Sequence, residues 1–224
     1  MITKVKIFGE RCSGTNYLTN LIKENFKVQI IEDKNIYGQK HFFGFHNLEN
    51  SDNTLFICII RDYHSWLNSL WKEKWHISQK QRQSISHFLN VQHWSYYDKK
   101  EYSILKYGKE IMEDRNIYTK ERYKNIFELR YMKIKWMQET LPTLVKHSIL
   151  IRYEDLLYHF KNTMDKIYKK GLPLLSPSTF PKNYFLYKTS SKPFIKEDKN
   201  IIKRKEIIQH PSFQLDIEKK LGYL

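Results

Sequence analysis

Short apolar runs alternate along the chain with longer stretches in which apolar residues recur at helical spacing. The runs at residues 5–8 and 146–151 have the composition of strands, and residues 26–31 alternate as a half-buried strand does. Residues 55–60 are apolar throughout, which is typical of a strand covered on both faces of a parallel sheet. Strands separated by helices predict an α/β fold with a central parallel sheet.

Helical spacing follows most of these strands. It predicts helices after Gly14, around Trp66–Trp71, and over 78–94, 119–140, 153–170, 201–209 and 213–221. The pattern at 119–140 is the strongest, and we expect Pro142 to stop it. Residues 95–107 and the Pro-containing stretch 174–196 have weak periodicity and are predicted to be irregular. We expect a single domain over residues 1–224.

The net charge indicates which kind of partner the protein binds. The 224 residues carry a net charge of +15, which favours an anionic partner such as nucleic acid, anionic lipid or a small polyanionic cofactor. The excess is spread along the chain and no nucleic-acid motif is found, so we expect no nucleic acid as partner. Oligomeric state does not follow from the sequence.

The cysteines and the lengths of the apolar runs indicate in which cellular compartment the protein is expected. Cys12 and Cys58 form no C-x2-C pair, so neither a zinc ribbon nor a disulfide framework is supported, and we expect a reducing compartment. The apolar runs are far shorter than the ~18 residues of a membrane span, and we expect no signal peptide. The prediction is a soluble, cytoplasmic protein. The abundance of Lys, Ile, Asn and Tyr suggests a bacterial or viral source, and the cytoplasm is that of the host cell if viral.

The first strand leads into a turn with two glycines, Gly9-x4-Gly14, and then into a helix. Such a strand–turn–helix holds phosphate well, because backbone N–H groups and the helix N-terminus face the anion. The glycine spacing matches a nucleoside-triphosphate loop, but Thr15 and Asn16 stand where that loop has Lys and a Mg²⁺-binding hydroxyl. On the glycines alone, an ordinary βα turn is an equally good interpretation.

Three blocks, in order, carry a resemblance to a known family. Residues 13–18, Ser-Gly-Thr-Asn-Tyr-Leu, are similar to a Ser-Gly-Thr-Thr-Trp-Leu loop around a 5′-phosphosulfate. Arg61 with Ser69 eight residues later resembles an Arg-x7-Ser pair that holds a 3′-phosphate. Residues 150–156 resemble a strand followed by Arg-Tyr-Glu-Asp-Leu. All three belong to the sulfotransferases that use 3′-phosphoadenosine 5′-phosphosulfate (PAPS); the C-terminal third is covered only weakly, mainly by the ending at 221–223.

The resemblance implies a fold and a cofactor. The family's fold is a three-layer, P-loop NTPase-like sandwich with helices on both faces of the sheet. Its cofactor is PAPS, leaving 3′-phosphoadenosine 5′-phosphate, with no metal. Carried over by position, the cofactor-binding residues are Arg11, Cys12, Ser13, Gly14, Thr15, Asn16, Arg61 and Ser69. The C-terminal residue that completes the 3′-phosphate site is left open among Lys192, Lys203, Arg204 and Lys205.

The loop departs from the family at one position. The family usually has Lys or Arg immediately before the Ser, whereas this chain has Cys12 there and the arginine one residue earlier, at Arg11. Either Arg11 is the catalytic cation from its shifted place, or another cation is, or the chain binds the nucleotide without turnover. For Cys12 we expect a packing role.

The resemblance also implies a histidine base, which the family often places after the second strand. His41 fits that location and His46 is the alternative. A neutral imidazole is a suitable general base near pH 7. The expected reaction is in-line sulfuryl transfer to a hydroxyl, with a carbohydrate favoured as acceptor because the aromatic residues at 94–107 suit sugar rings. The alternatives are a P-loop kinase and a catalytically inactive nucleotide- or polyanion-binding domain.

Overall fold

A computed structural model of the protein describes residues 1–74, 76–98, 107–183 and 201–224. The described chain divides into two compact units. The first contains Met1–His41, His46–Arg61 and residues 137–183; the second contains Phe42–Phe45, the described residues of 62–136, and residues 201–224.

Four parallel strands form the sheet of the first unit. They are β1 (Lys4–Phe8), β2 (Gln29–Ile30), β3 (Thr54–Ile60) and β4 (Ser148–Arg152), in the order β2-β1-β3-β4. Along the whole of β1 the register joins Lys4 to Thr54 and Phe8 to Cys58. The predicted α/β class with a central parallel sheet is therefore confirmed. Because β1, β3 and β4 run in the same direction, the segments that follow them leave from one edge of the sheet.

Helices of the first unit pack on one face of this sheet. They are α1 (Thr15–Asn25), α7 (Tyr153–Tyr158) and α8 (Phe160–Tyr168). The alternation of β1 sends Val5 and Ile7 to this face, where they meet Leu18 and Ile22 of α1 and Ile57 of β3. A short helix, α6 (Leu141–Leu144), precedes β4. The shared core fixes α1, and with it the turn between β1 and α1, against the sheet.

The opposite face of β1 carries an unusual buried lysine. Lys6 is 1% exposed, and its ammonium donates to the backbone oxygens of Asp33 (3.2 Å) and Ile36 (2.8 Å). Burial lowers the pKa of Lys6 from 10.5 to about 8, against the opposing attraction of Asp33. Lys6 thus ties the segment after β2 to the sheet, and it is not part of an exposed basic surface.

The second unit is mainly helical. Its helices are α2 (Tyr63–Glu73), α3 (Gln79–Arg82), α4 (Ile85–Asn90), α5 (Ile126–Lys135), α9 (Arg204–Ile208) and α10 (Leu215–Lys220). Two buried ion pairs hold it together. Lys133 pairs with Asp114, and Arg130 makes a two-pronged contact with Glu218 at 2.6 and 2.8 Å. The second pair fastens the C-terminal helix α10 to α5.

Several elements differ in extent from the predictions. The strand predicted at 26–31 is reduced to β2, and the helix predicted at 78–94 is the two short helices α3 and α4. The helix predicted at 119–140 begins only at Ile126 and passes into a π-helix, Trp136–Thr140. The prediction that Pro142 stops the helix is wrong, because α6 follows directly and Pro142 lies in its first turn, where a missing N–H costs no intrahelical bond. The irregular segments predicted at 95–107 and 174–196 fall partly outside the described residues, at 99–106 and 184–196. Within the described ranges, no helix is long and apolar enough to cross a membrane.

Candidate functional site

The turn between β1 and α1 is closed by its own polar groups. The backbone N–H and the hydroxyl of Ser13 both donate to the backbone oxygen of Glu10, at 3.1 and 2.5 Å. Gly9 approaches β3 so closely that a β-carbon there would lie 2.6 Å from the backbone oxygen of Ile59. A side chain at residue 9 is therefore excluded by the neighbouring strand.

Gly14 begins α1 in a left-handed conformation, with φ of 97°, and no side chain caps the helix. A β-carbon at Gly14 would lie 2.4 Å from Cδ2 of Tyr153. The first N–H groups of an α-helix have no intrahelical acceptor, and they carry the positive end of the helix dipole. The start of α1 therefore has the backbone geometry of an anion site, and no acidic residue lies in its first turn.

Arg61, at the end of β3, reaches this turn. Its Nη1 donates to the backbone oxygen of Cys12 at 3.1 Å, and its guanidinium lies 5.0 Å from the ring centre of Tyr153. Its Nε is buried and has no hydrogen-bond partner within the described ranges. A planar, permanently charged group is thus fixed beside the turn with donor capacity left for an anion.

His41 reaches the same turn from the segment after β2. Its Nδ1 lies 2.7 Å from the backbone oxygen of Gly9. A carbonyl oxygen only accepts, so Nδ1 carries the proton and Nε2 is the unprotonated nitrogen. Burial, followed by the charge of Lys40, lowers the pKa of His41 to about 3. His41 is therefore neutral at physiological pH, in one defined tautomer.

His46, the other candidate base, lies against Gly38. A β-carbon at Gly38 would be 2.9 Å from Nδ1 of His46. That nitrogen is buried and has no hydrogen-bond partner in the described part of the chain. The geometry near the turn therefore favours His41 as the base.

The remaining loop residues have distinct environments. Arg11 is 3% exposed and donates from Nε to the carboxylate of Glu10 at 2.9 Å. Cys12 is half-buried with a left-handed φ of 63°. Thr15 is buried, whereas Asn16 is exposed and accepts a hydrogen bond of 2.6 Å from the ammonium of Lys40.

Two sets of predicted residues lie elsewhere. Ser69 is half-buried on α2, in the second unit. Lys203, Arg204 and Lys205 are exposed in the same unit, where Arg204 donates to the hydroxyl of Tyr63 at 2.9 Å and lies 3.4 Å from Asp62. Lys192 lies outside the described residues. The first unit alone therefore brings together the turn, His41, Arg61 and Tyr153.

Sequence reasoning did not identify three contacts at this site. They are the ion pair of Arg11 with Glu10, the contact of Lys40 with Asn16, and the position of the Tyr153 ring over Gly14 and Arg61. The block containing Tyr153 and the adjacent pair Lys40-His41 were visible, but their contacts with the turn depend on the path of the chain. No group of three His, Cys, Asp or Glu side chains suited to a metal was found among the described residues.

The chain was compared with family models, curated proteins and solved structures, and none of them matches it.

Proposed function

We propose that this protein is a PAPS-dependent sulfotransferase with a P-loop NTPase-like, three-layer fold. One observation carries the proposal: residues from three distant segments meet at the turn between β1 and α1. His41 donates a hydrogen bond to the backbone oxygen of Gly9, Arg61 donates one to the backbone oxygen of Cys12, and the ring of Tyr153 packs on Gly14. Gly14, Arg61 and Tyr153 come from the three blocks by which the sequence resembles the family, and His41 is the base that the resemblance implies. The resemblance and the contacts therefore support the same function.

The site suits the phosphate groups of a nucleotide. The start of α1 offers backbone N–H groups, and Arg61 has a buried donor that no described residue satisfies. PAPS, when bound, supplies a sulfuryl group on a phosphate leaving group. The turn and Arg61 would hold and orient the phosphate part, which favours in-line transfer by fixing the reacting atoms.

His41 would act as the base for the acceptor hydroxyl. Its Nδ1–H bond to Gly9 leaves Nε2 as the proton acceptor, and its low pKa keeps it unprotonated. A carbohydrate remains the favoured acceptor. The argument for it is the set of aromatic residues at 94–107 in the sequence, which suit sugar rings.

Two other functions are less well supported. A P-loop kinase needs a lysine and a Mg²⁺-binding hydroxyl at positions that hold Thr15 and Asn16 here. A binding domain without turnover has no need for a histidine held in one tautomer beside the anion site.

The test is transfer of labelled sulfate from PAPS to a panel of hydroxyl acceptors, carbohydrates included. His41→Asn should lower kcat by about 10²- to 10⁴-fold, the usual contribution of a general base. Because the pKa of His41 is about 3, the kcat/KM profile of the wild type should show no acidic limb near pH 6.5 from this residue. His46→Asn, measured in parallel, decides between the two candidate bases.

Absence of transfer to every acceptor, together with no stabilisation by 3′-phosphoadenosine 5′-phosphate, would remove the proposal. Transfer that survives His41→Asn unchanged would keep the enzyme and remove the base.

A further inference from the structure

In-line sulfuryl transfer leaves negative charge on the oxygen that bridges sulfur and phosphorus. A cation close to that oxygen lowers the barrier, because the charge develops in the transition state. The family places the cation at the position of Cys12, which carries no charge here. Arg11 and Lys40 are the two described cations with contacts to residues 10–16 that have not been assigned to the nucleotide's phosphates.

Arg11 is poorly placed for this role. It is 3% exposed, and its guanidinium lies against the carboxylate of Glu10. Glu10 also accepts from the backbone N–H of Arg11, at 2.7 Å. A carboxylate held this closely offsets the positive charge, so Arg11 and Glu10 act as a structural pair within the turn.

Lys40 is held beside the turn by its own backbone oxygen and by the imidazole side chain of the next residue. The N–H of Gly9 donates to the backbone oxygen of Lys40 at 3.0 Å, and the next residue, His41, donates to the oxygen of Gly9. These two bonds fix the Lys40-His41 dipeptide along the start of the turn.

The ammonium of Lys40 lies at the open end of the same turn. It is 2.6 Å from the side-chain oxygen of Asn16, in the first turn of α1, and this contact is exposed to solvent. The positive charge of Lys40 also contributes to the low pKa of His41. The ammonium and the imidazole therefore belong to adjacent residues, and each contacts the turn or the first turn of α1.

We propose that Lys40, rather than Arg11, supplies the cation for sulfuryl transfer, an assignment that rests on the proposed function. In this step the bond from sulfur to the bridging oxygen breaks and a bond from sulfur to the acceptor oxygen forms. The acceptor proton passes to Nε2 of His41. Lys40 offsets the charge left on the bridging oxygen, so one dipeptide carries both the base and the cation.

The experiment compares Lys40→Gln, Lys40→Met and Lys40→Arg with the wild type. Gln keeps a donor for Asn16 and removes the charge, Met removes both, and Arg keeps the charge. Lys34→Met is the matched control, since Lys34 is an exposed lysine of the same segment. For each protein we would measure kcat with PAPS, the Kd for 3′-phosphoadenosine 5′-phosphate by calorimetry, and the melting temperature.

We expect Lys40→Gln and Lys40→Met to lower kcat about 10²- to 10³-fold, as loss of one charge-stabilising group does. Their Kd should rise less than about tenfold, since most of the binding contacts remain. The kcat of Lys40→Arg should be at least about tenfold higher than that of Lys40→Gln, because Arg keeps the positive charge. A purely structural role for Lys40 would not require this recovery. Melting temperatures should change little, because the contact with Asn16 is exposed.

If Lys40→Gln keeps kcat within about threefold of the wild type while the wild type transfers sulfate, the assignment is overturned and the enzyme stands. If the wild type neither transfers sulfate nor binds 3′-phosphoadenosine 5′-phosphate, both proposals fall.

Discussion

At the scale of single residues, Gly14 is under the tightest constraint in the site. It has a φ of 97°, and the Tyr153 ring occupies the space where a β-carbon would lie. The same ring lies 5.0 Å from the guanidinium of Arg61. The lack of a side chain at residue 14 therefore allows Tyr153 to contact both the turn and Arg61.

Gly14→Ala should destabilise the protein more than Gly108→Ala. Gly108 also has a positive φ, 73°, but nothing lies within 4 Å of a β-carbon there. In both variants the left-handed backbone of an alanine lowers the free energy of unfolding by about 1–2 kcal/mol. Gly14→Ala also overlaps the packed Tyr153 ring, which lowers it by about 1–3 kcal/mol more. Urea unfolding measures the difference, and equal free energies of unfolding would contradict the packing of Tyr153 on Gly14.

At the scale of elements, helix α5 starts later than its apolar periodicity predicts, because polar residues before it set its first residue. The apolar spacing extends over 119–140, but Lys120 adopts a φ of 64° and the side chain of Asn125 accepts from the N–H groups of Phe127 and Glu128. An Asn side chain bonded in this way begins a helix at the following residue. Helix α5 therefore starts at Ile126, inside the apolar pattern.

Glu218→Gln tests the fastening of α10 to α5. The carboxylate of Glu218 and the guanidinium of Arg130 are both buried, with side-chain exposures of 2% and 7%. Removing one charge leaves the other buried without compensation, and we expect a loss of about 3–5 kcal/mol in the free energy of unfolding. Glu32→Gln is the control, because its pair with Lys23 is 65% and 53% exposed and should contribute at most about 1 kcal/mol. Similar losses in the two variants would show that the Arg130–Glu218 pair is not buried in solution.

The strands were more predictable than the helices. β3 is buried at every position and apolar at every position after Thr54, so its place in the sheet follows from composition. β2 and the helices of the second unit depend on side chains from distant parts of the chain. For example, Asn68 of α2 donates to the backbone oxygen of Ile202 at 3.0 Å and accepts from its N–H at 2.8 Å. No local pattern in the sequence indicates these contacts.

At the scale of the whole molecule, the candidate site was predictable in its residue types and less so in its contacts. The turn and Arg61 were identified by motif and spacing and His41 by the family resemblance, and they meet within the first unit. The pairing of Lys40-His41 with Gly9 spans more than 30 residues and depends on the route from β2 back to β1. The resemblance places the cation at residue 12, which is a cysteine here, and left Arg11 or another cation as alternatives; our proposal of Lys40 rests on its contacts with the turn and with Asn16.

The central claim is that the turn between β1 and α1, with Arg61, binds a 3′-phosphorylated nucleotide without metal. It is tested by thermal shift with 3′-phosphoadenosine 5′-phosphate, 5′-AMP and ATP with Mg²⁺, on the wild type, Arg61→Ala and Arg115→Ala. Arg115 is a half-buried arginine that pairs with Glu110 in the second unit. At 100 times Kd a specific ligand stabilises the fold by about 2.7 kcal/mol.

We expect 3′-phosphoadenosine 5′-phosphate to raise the melting temperature of the wild type and of Arg115→Ala more than the other nucleotides do, and this preference to be lost in Arg61→Ala. A larger shift with ATP and Mg²⁺, or a preference that persists in Arg61→Ala, would contradict the claim.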